Sequence, residues 1–132
     1  MNLGYACINT ALSANKIFTN RTMRRKTFDA NGEDYVSDLA LANVKDLKTI
    51  IQWNNEMGIK LFRLSSQIFP WSDEYNVKDL KDYDEIASIM FEVGKIAKDA
   101  GQRLTMHPGP YNCLASPTKK VVEKTVRELN FH

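Results

Sequence analysis

The sequence predicts an α/β fold built on a parallel sheet. Three observations predict it. Three short apolar runs of β-forming residues occur at 3–8, 59–64 and 103–106. Stretches of helical periodicity lie between and after them, so the order reads β-α-β-α-β-α. The joins are also asymmetric: each of the first two helices runs into the next strand through one glycine, whereas the strand-to-helix joins are long. In parallel α/β folds, the loops that leave the C-terminal ends of strands carry function.

The first run, Leu3-Gly4-Tyr5-Ala6-Cys7-Ile8, has the length and composition of a strand. The join expected after it, from Asn9 to about Asp38, is long by ordinary standards, which points to function or to disorder. From Leu39 to Met57, apolar residues recur at Leu41, Val44, Leu47, Ile50, Ile51 and Met57. Spacings of three and four make the stripe of an amphipathic helix. Gly58 supplies a left-handed cap, and the second strand, Ile59-Lys60-Leu61-Phe62-Arg63-Leu64, follows. After the 65–82 join, Asp82 is placed to cap a helix, with Glu85 completing an Asp variant of the capping box. Ile86, Ile89, Met90, Val93, Ile96, Ala97 and Ala100 form its stripe, and Gly101 ends it. The third strand is Arg103-Leu104-Thr105-Met106. Ser116 followed by Pro117 reads as the start of a last helix, with Val122, Val126 and Leu129 on its apolar side.

Composition narrows the function classes. The chain has 132 residues, 43% hydrophobic and 26% charged, with a net charge of +2. That suits one domain with a real core, and the net charge alone makes no argument for nucleic acid. No apolar run approaches the ~20 residues that span a bilayer, and the start MNLGYACINT lacks a signal-peptide pattern. An intracellular protein, cytoplasmic or nuclear, with no membrane partner is expected. Cys7 and Cys113 form no CxxC and read as free thiols, small hydrophobes of the kind commonly buried. There is no Walker A pattern, no GxGxxG and no GxSxG, so no nucleotide cofactor and no serine-nucleophile elbow are expected.

Candidate chemistry falls where the three strands end. Tyr5 and Asn9 lie at the first end, Arg63, Ser65 and Ser66 at the second and His107 at the third. His107 is either a hydrogen-bonded structural histidine or a metal ligand, since neutral imidazole is a common donor to divalent ions. A metal needs three or more ligands, and no HxH, HxxxH or HExxH spacing is present; Asp73 and Glu74 are either further donors or solvated loop acids. Arg21, Arg24, Arg25 and Lys26 concentrate positive charge in the first join. They are either phosphate contacts, whose affinity falls with salt, or a solvated basic loop. The run Ile68-Phe69-Pro70-Trp71 is either a lid on the core or a surface for an unstacked base. Tyr111 can stack on or wedge between bases.

Several segments together resemble one family, the UV damage endonucleases. They are Leu3-Gly4-Tyr5-Ala6-Cys7-Ile8-Asn9, Asn20-Arg21-Thr22, Leu39-Ala40-Leu41-Ala42-Asn43-Val44-Lys45-Asp46-Leu47, Phe62-Arg63-Leu64-Ser65-Ser66 with Phe69-Pro70, Gly101-Gln102-Arg103-Leu104-Thr105-Met106-His107-Pro108-Gly109, and Leu129-Asn130-Phe131-His132. Each is short; the ordered set runs along nearly the whole chain. The resemblance implies a TIM (β/α)8 barrel of which residues 1–132 are the N-terminal portion, with about the first three βα units. A barrel of this type needs eight units and about 200 residues or more. Three strands leave edges and a face uncovered, so the missing part of the barrel or self-association is expected to cover them.

By the same resemblance, the activity is incision of the DNA backbone 5′ of ultraviolet photoproducts, with damaged double-stranded DNA as partner. The implied cofactor is a cluster of divalent metals, often manganese, which activates water and neutralises phosphate charge. His107 matches a metal ligand, and Tyr5 and Asn9 match active-site residues that contact the damaged DNA or the scissile region. Pro110 and Tyr111 match a probe pair, typically glutamine and an aromatic, that is pushed into the duplex at the lesion. Pro110 departs from that pattern, because proline has no side-chain amide and fixes φ. The remaining metal ligands of the family lie on later strands, so the 132 residues alone are expected to lack incision activity. His132 is given no metal role. Two alternatives stand beside this reading. One is an endonuclease IV-like nuclease for abasic sites. The other is a non-catalytic DNA-binding or assembly module.

Overall fold

The computed structural model describes residues 2–106 and 108–131. The sheet has three parallel strands, β1 (Gly4–Ala6), β2 (Leu61–Leu64) and β3 (Arg103–Met106), in the order β1-β2-β3. Around them lie α1 (Thr10–Ser13), α2 (Arg25–Glu56), a 3-10 turn at Val77–Asp79, α3 (Tyr83–Asp99) and α4 (Lys119–Phe131). The α/β order and the parallel pairing agree with the sequence.

The pairing register explains which residues are buried. Tyr5, Phe62 and Leu104 align in one row across the sheet, and successive residues of a strand face opposite sides. The Tyr5 row, with Leu64, faces the helices. There the core gathers Val36, Ala40, Val44, Leu47, Ile50 and Ile51 of α2, Phe62 and Leu64 of β2, and Ile86, Val93 and Ala97 of α3. Each fully buried aliphatic side chain contributes about 1.5–3 kcal/mol. The other face holds Leu61, Arg63 and Arg103, all exposed, as expected for a sheet covered on one side. Gly4 is required where it stands, since a Cβ there would lie 2.4 Å from Leu61 Cβ.

Both cap glycines adopt the left-handed conformation, Gly58 at φ 69° and Gly101 at φ 63°. The chain closes over them through Ile59 N–H to Asn54 O and Gln102 N–H to Ala97 O, each 2.8 Å. These are Schellman-type closures that satisfy the last carbonyls of α2 and α3.

Four expectations change. The first join is largely helical, because α2 begins at Arg25, with a break at Gly32 (φ 63°, ψ −156°). Val36 and Ala40 extend the apolar stripe one turn earlier than Leu41, and the polar residues around them hide it. Asp82 occupies the cap position of α3 but makes no side-chain cap bond. Its carboxylate instead accepts from Ser37 Oγ at 2.8 Å, and its N–H donates to the same oxygen at 3.1 Å, so the capping box is replaced by a tie to α2. The last helix starts at Lys119, two residues after Pro117, with Ser116 Oγ accepting from Thr118 N–H at 3.2 Å. Its buried residue is Thr125, while Val126 and Leu129 are 42% and 37% exposed. The helix lies against a polar loop, so its buried side follows that loop rather than the apolar stripe.

Candidate functional site

The C-terminal ends of the strands share one rim. At the first end, Cys7 takes a left-handed φ of 61°, with its N–H bonded to Arg63 O at 2.8 Å. Asn9 then caps α1, its Oδ1 accepting from Leu12 N–H at 3.0 Å. The other end of that carboxamide donates to the Tyr5 hydroxyl at 2.8 Å, and the hydroxyl donates to Asn54 Oδ1 at 2.6 Å. Tyr5 and Asn9, assigned together from the sequence, are thus in direct contact. Asn54, fully buried on α2, joins them. Burial pushes the Tyr5 phenol above its ordinary value, opposed by the hydrogen bonds from Asn9 and Asn54. Burial also raises the Cys7 thiol, against the pull of Arg63, so Cys7 is a protonated thiol at neutral pH. Cys7 is half-buried and Cys113 exposed, and neither is in a disulfide; the expectation of burial fails for Cys113, which stands on a surface loop.

The four basic residues separate into two kinds. Arg21 is folded inward. It pairs with Asp46 at 2.6 Å, donates to Phe18 O at 2.6 Å and Lys16 O at 3.1 Å, and lies 4.1 Å over the Phe18 ring. Arg25 bridges Asp29 at 2.8 Å and Glu74 at 2.9 Å. Arg24 and Lys26 are exposed and make no ion pair among the described residues. They are the two cations of this segment placed to meet a phosphate without breaking an existing bridge.

The loop after β2 packs down as a lid. Ile68, Phe69 and Pro70 are buried, and Trp71 donates Nε1–H to Met23 O at 3.1 Å. That burial excludes Ile68 and Phe69 as an open stacking surface. Ser65 is buried and accepts from Gln67 N–H at 3.2 Å. Asp73 pairs with Lys124 at 3.2 Å, and Glu74 with Arg25. Among the described residues, neither acid belongs to a group of three or more His, Cys, Asp or Glu side chains that could hold a metal ion.

His107 lies outside the described residues. Beyond it, Tyr111 is 93% exposed and Pro110 is exposed beside it. The loop beneath them is tied down. Gly109 N–H donates to Glu128 Oε1 at 2.5 Å, Asn112 Nδ2 to Gly109 O at 2.9 Å, and Cys113 N–H to Thr125 Oγ1 at 3.0 Å.

Sequence reasoning missed Asn43 and Asn54. Asn43 is fully buried; its Nδ2 donates to Arg21 O, Gln67 O and Ile68 O, and its Oδ1 accepts from Arg21 N–H at 3.1 Å. It staples the segment after β1 to the loop after β2. A readable signal exists: Asn43 and Asn54 each fall beside the apolar stripe, on the side of α2 that turns inward. Among the described residues, no three His, Cys, Asp or Glu side chains converge to hold a metal ion.

Comparison with known proteins adds identity to this geometry. The sequence model of the family described as UV-endonuclease UvdE matches residues 1–132. A UV-damage endonuclease of Schizosaccharomyces pombe is 39% identical over 132 residues, covering 98% of this chain and 22% of that protein. One of Neurospora crassa is 34% identical, covering 98% of this chain and 24% of its own length. The crystal structure of SacUVDE superposes with a TM-score of 0.84 at 28% identity, covering 100% of this chain and 43% of the other. The chain therefore spans less than half the length of these relatives.

Proposed function

The chain belongs to the UV-endonuclease UvdE family, and from that premise we propose that it forms the N-terminal portion of a DNA repair endonuclease that incises the backbone 5′ of ultraviolet photoproducts. The complete enzyme is read as an eight-stranded barrel, with the uncovered sheet face becoming its interior. Tyr111 is the wedge that enters the duplex at the lesion, with Pro110 stiffening the turn beside it. Asn9, 3% exposed, and Tyr5, on the helix-facing side of β1, serve the damaged strand by holding the rim beneath it. Arg24 and Lys26 meet phosphates; Arg21 and Arg25 contribute to DNA binding mainly by holding the rim loops. The observation that carries the reading, within this family, is an aromatic side chain 93% exposed on a loop held at both ends.

The described residues do not make a metal centre on their own. The divalent-metal part of the reading, manganese by resemblance, rests on His107 together with donors beyond those described. A divalent metal in such an enzyme supplies charge neutralisation at the scissile phosphate and an activated water. What the described residues do is bind and orient: Tyr111 distorts the duplex, the carboxamide of Asn9 is aimed by Tyr5 and Asn54, and the basic pair draws the backbone to the rim.

The test is incision of irradiated supercoiled plasmid in the presence of manganese. The full-length enzyme is expected to nick it 5′ of the photoproduct. The 132 residues alone are expected not to, and robust cutting by them would overturn the need for donors on later strands. An abasic duplex serves as the competing substrate, and preference for it would favour the endonuclease IV-like alternative. The absence of a donor cluster among the described residues also supports a narrower role for this chain on its own, that of a DNA-binding module. In that case it binds irradiated duplex without cutting.

A further inference from the structure

We propose that Glu128 and Thr125 of α4 are positioning residues that hold the Pro110 and Tyr111 tip in the shape needed to discriminate damaged from intact duplex. The inference rests on the reading of Tyr111 as a wedge. A side chain pushed into a base stack works only if its backbone is already ordered, since ordering it on contact would subtract from affinity. Here the tip is held from both flanks by one helix. Before the tip, Gly109 N–H meets the carboxylate of Glu128 at 2.5 Å, a charge-assisted bond of the stronger kind. After it, Cys113 N–H meets Thr125 Oγ1 at 3.0 Å, and Thr125 is 2% exposed. Residues three apart share a helix face, so both anchors project toward the same loop. A third bond, Asn112 Nδ2 to Gly109 O at 2.9 Å, closes the tip on itself.

A side chain at position 109 would displace the Glu128 carboxylate from the Gly109 amide. A Cβ there would lie 2.8 Å from Glu128 Oε1, so the glycine lets the backbone reach the carboxylate. The helix that carries the anchors is itself fixed to the loop after β2. Phe131 packs edge-on to Phe69 with ring centroids 5.7 Å apart, and Lys124 pairs with Asp73 at 3.2 Å. The position of Tyr111 is thereby referenced to the second rim loop as well as to β3. Glu128 and Thr125 touch no DNA in this scheme; they act through the backbone of 109–113.

The test has two readouts. The first is amide hydrogen exchange on the full chain. In the parent protein, the Gly109 and Cys113 amides exchange more slowly than that of Tyr111. Glu128→Leu speeds exchange at Gly109, and Thr125→Val, which keeps the side-chain volume, speeds it at Cys113. Each change is about ten-fold, the scale of one net hydrogen bond. The β2 amides stay protected as the control for folding. Glu128→Gln, which keeps an oxygen acceptor, retains most of the Gly109 protection.

The second readout is the binding preference of the full-length enzyme for a duplex with one thymine dimer over the same undamaged duplex. Glu128→Leu and Thr125→Val reduce it about ten-fold through weaker binding of the damaged duplex, and Glu128→Gln restores it. Fast exchange at Gly109 and Cys113 in the parent overturns the inference, as does protection that survives both substitutions. A loosened loop with unchanged preference also overturns it. If Tyr111→Ala leaves the preference unchanged, the wedge reading falls and takes the discrimination half with it. The exchange data then still decide whether the anchors hold the loop.

Discussion

Tyr5 of β1 and Asn54 of α2 are joined hydroxyl to carboxamide at 2.6 Å across 49 residues of sequence. The same hydroxyl accepts from Asn9 at 2.8 Å. A residue at the helix-facing side of a strand, a buried residue of the crossover helix and a rim residue thus form one relay.

Removing the hydroxyl should therefore weaken the fold as well as the rim. Tyr5→Phe leaves Asn54 Oδ1 and one Asn9 amide hydrogen without this partner in buried surroundings. A stranded buried polar group costs about 1–3 kcal/mol, and the urea midpoint should fall accordingly. An unchanged midpoint would show that the relay is not structural.

Alkaline stability should carry the signature of two tyrosines. Burial raises Tyr5 above the ordinary 10.0. Tyr75 is raised too, by burial and then by the charges of Glu33 and Asp73. Both phenols keep their protons in the fold at a pH where the unfolded chain releases them. Their contribution to stability is fully present below about pH 10 and is lost as pH rises from there through the folded-state values. Unfolding curves between pH 8 and 12 should show this decline, with a shallower slope in Tyr75→Phe. Because the Tyr75 hydroxyl is buried without a hydrogen-bond partner among the described residues, Tyr75→Phe should cost less than about 0.5 kcal/mol at pH 7.

Asn43 offers a sharper contrast. Asn43→Asp has nearly the same shape but replaces the amide donor with a second acceptor facing three carbonyl oxygens. It should destabilise by on the order of 3 kcal/mol, at least as much as Asn43→Ala. Equal stability of the Asp variant and the parent in urea unfolding would remove Asn43 as the staple between the rim loops.

The basic segment should separate on substitution. Arg21→Ala breaks the partly buried pair with Asp46 and should lower stability by about 1–3 kcal/mol. Arg24→Ala and Lys26→Ala should leave stability within about 0.5 kcal/mol. Each should instead weaken binding to irradiated duplex and reduce the salt slope by about one. A salt slope unchanged by both would remove this segment from the DNA interface.

Sequence alone determined the features that depend on near neighbours. The β-α order, the parallel sheet and both left-handed cap glycines were legible, because period two, period three to four and a glycine after a stripe are local signals. The lid reading of Ile68 and Phe69 followed from their apolarity. What required long-range contact was not legible. The polar opening turns of α2 read as loop, because the stripe there thins to Val36 and Ala40 among polar residues, and only packing against the core reveals it. Asp82 reads as a cap, yet Ser37, 45 residues earlier, takes its carboxylate. Arg21 and Arg24 look alike in the sequence, and only the fold turns one inward onto Asp46 and leaves the other in solvent. Asn43 and Asn54 read as ordinary polar residues of a helix until two loops and a tyrosine arrive to satisfy them. The physical reason is the same throughout. Backbone periodicity is set by residues a few positions away, whereas the partner of a buried polar group is chosen by whichever distant segment the packed core brings against it.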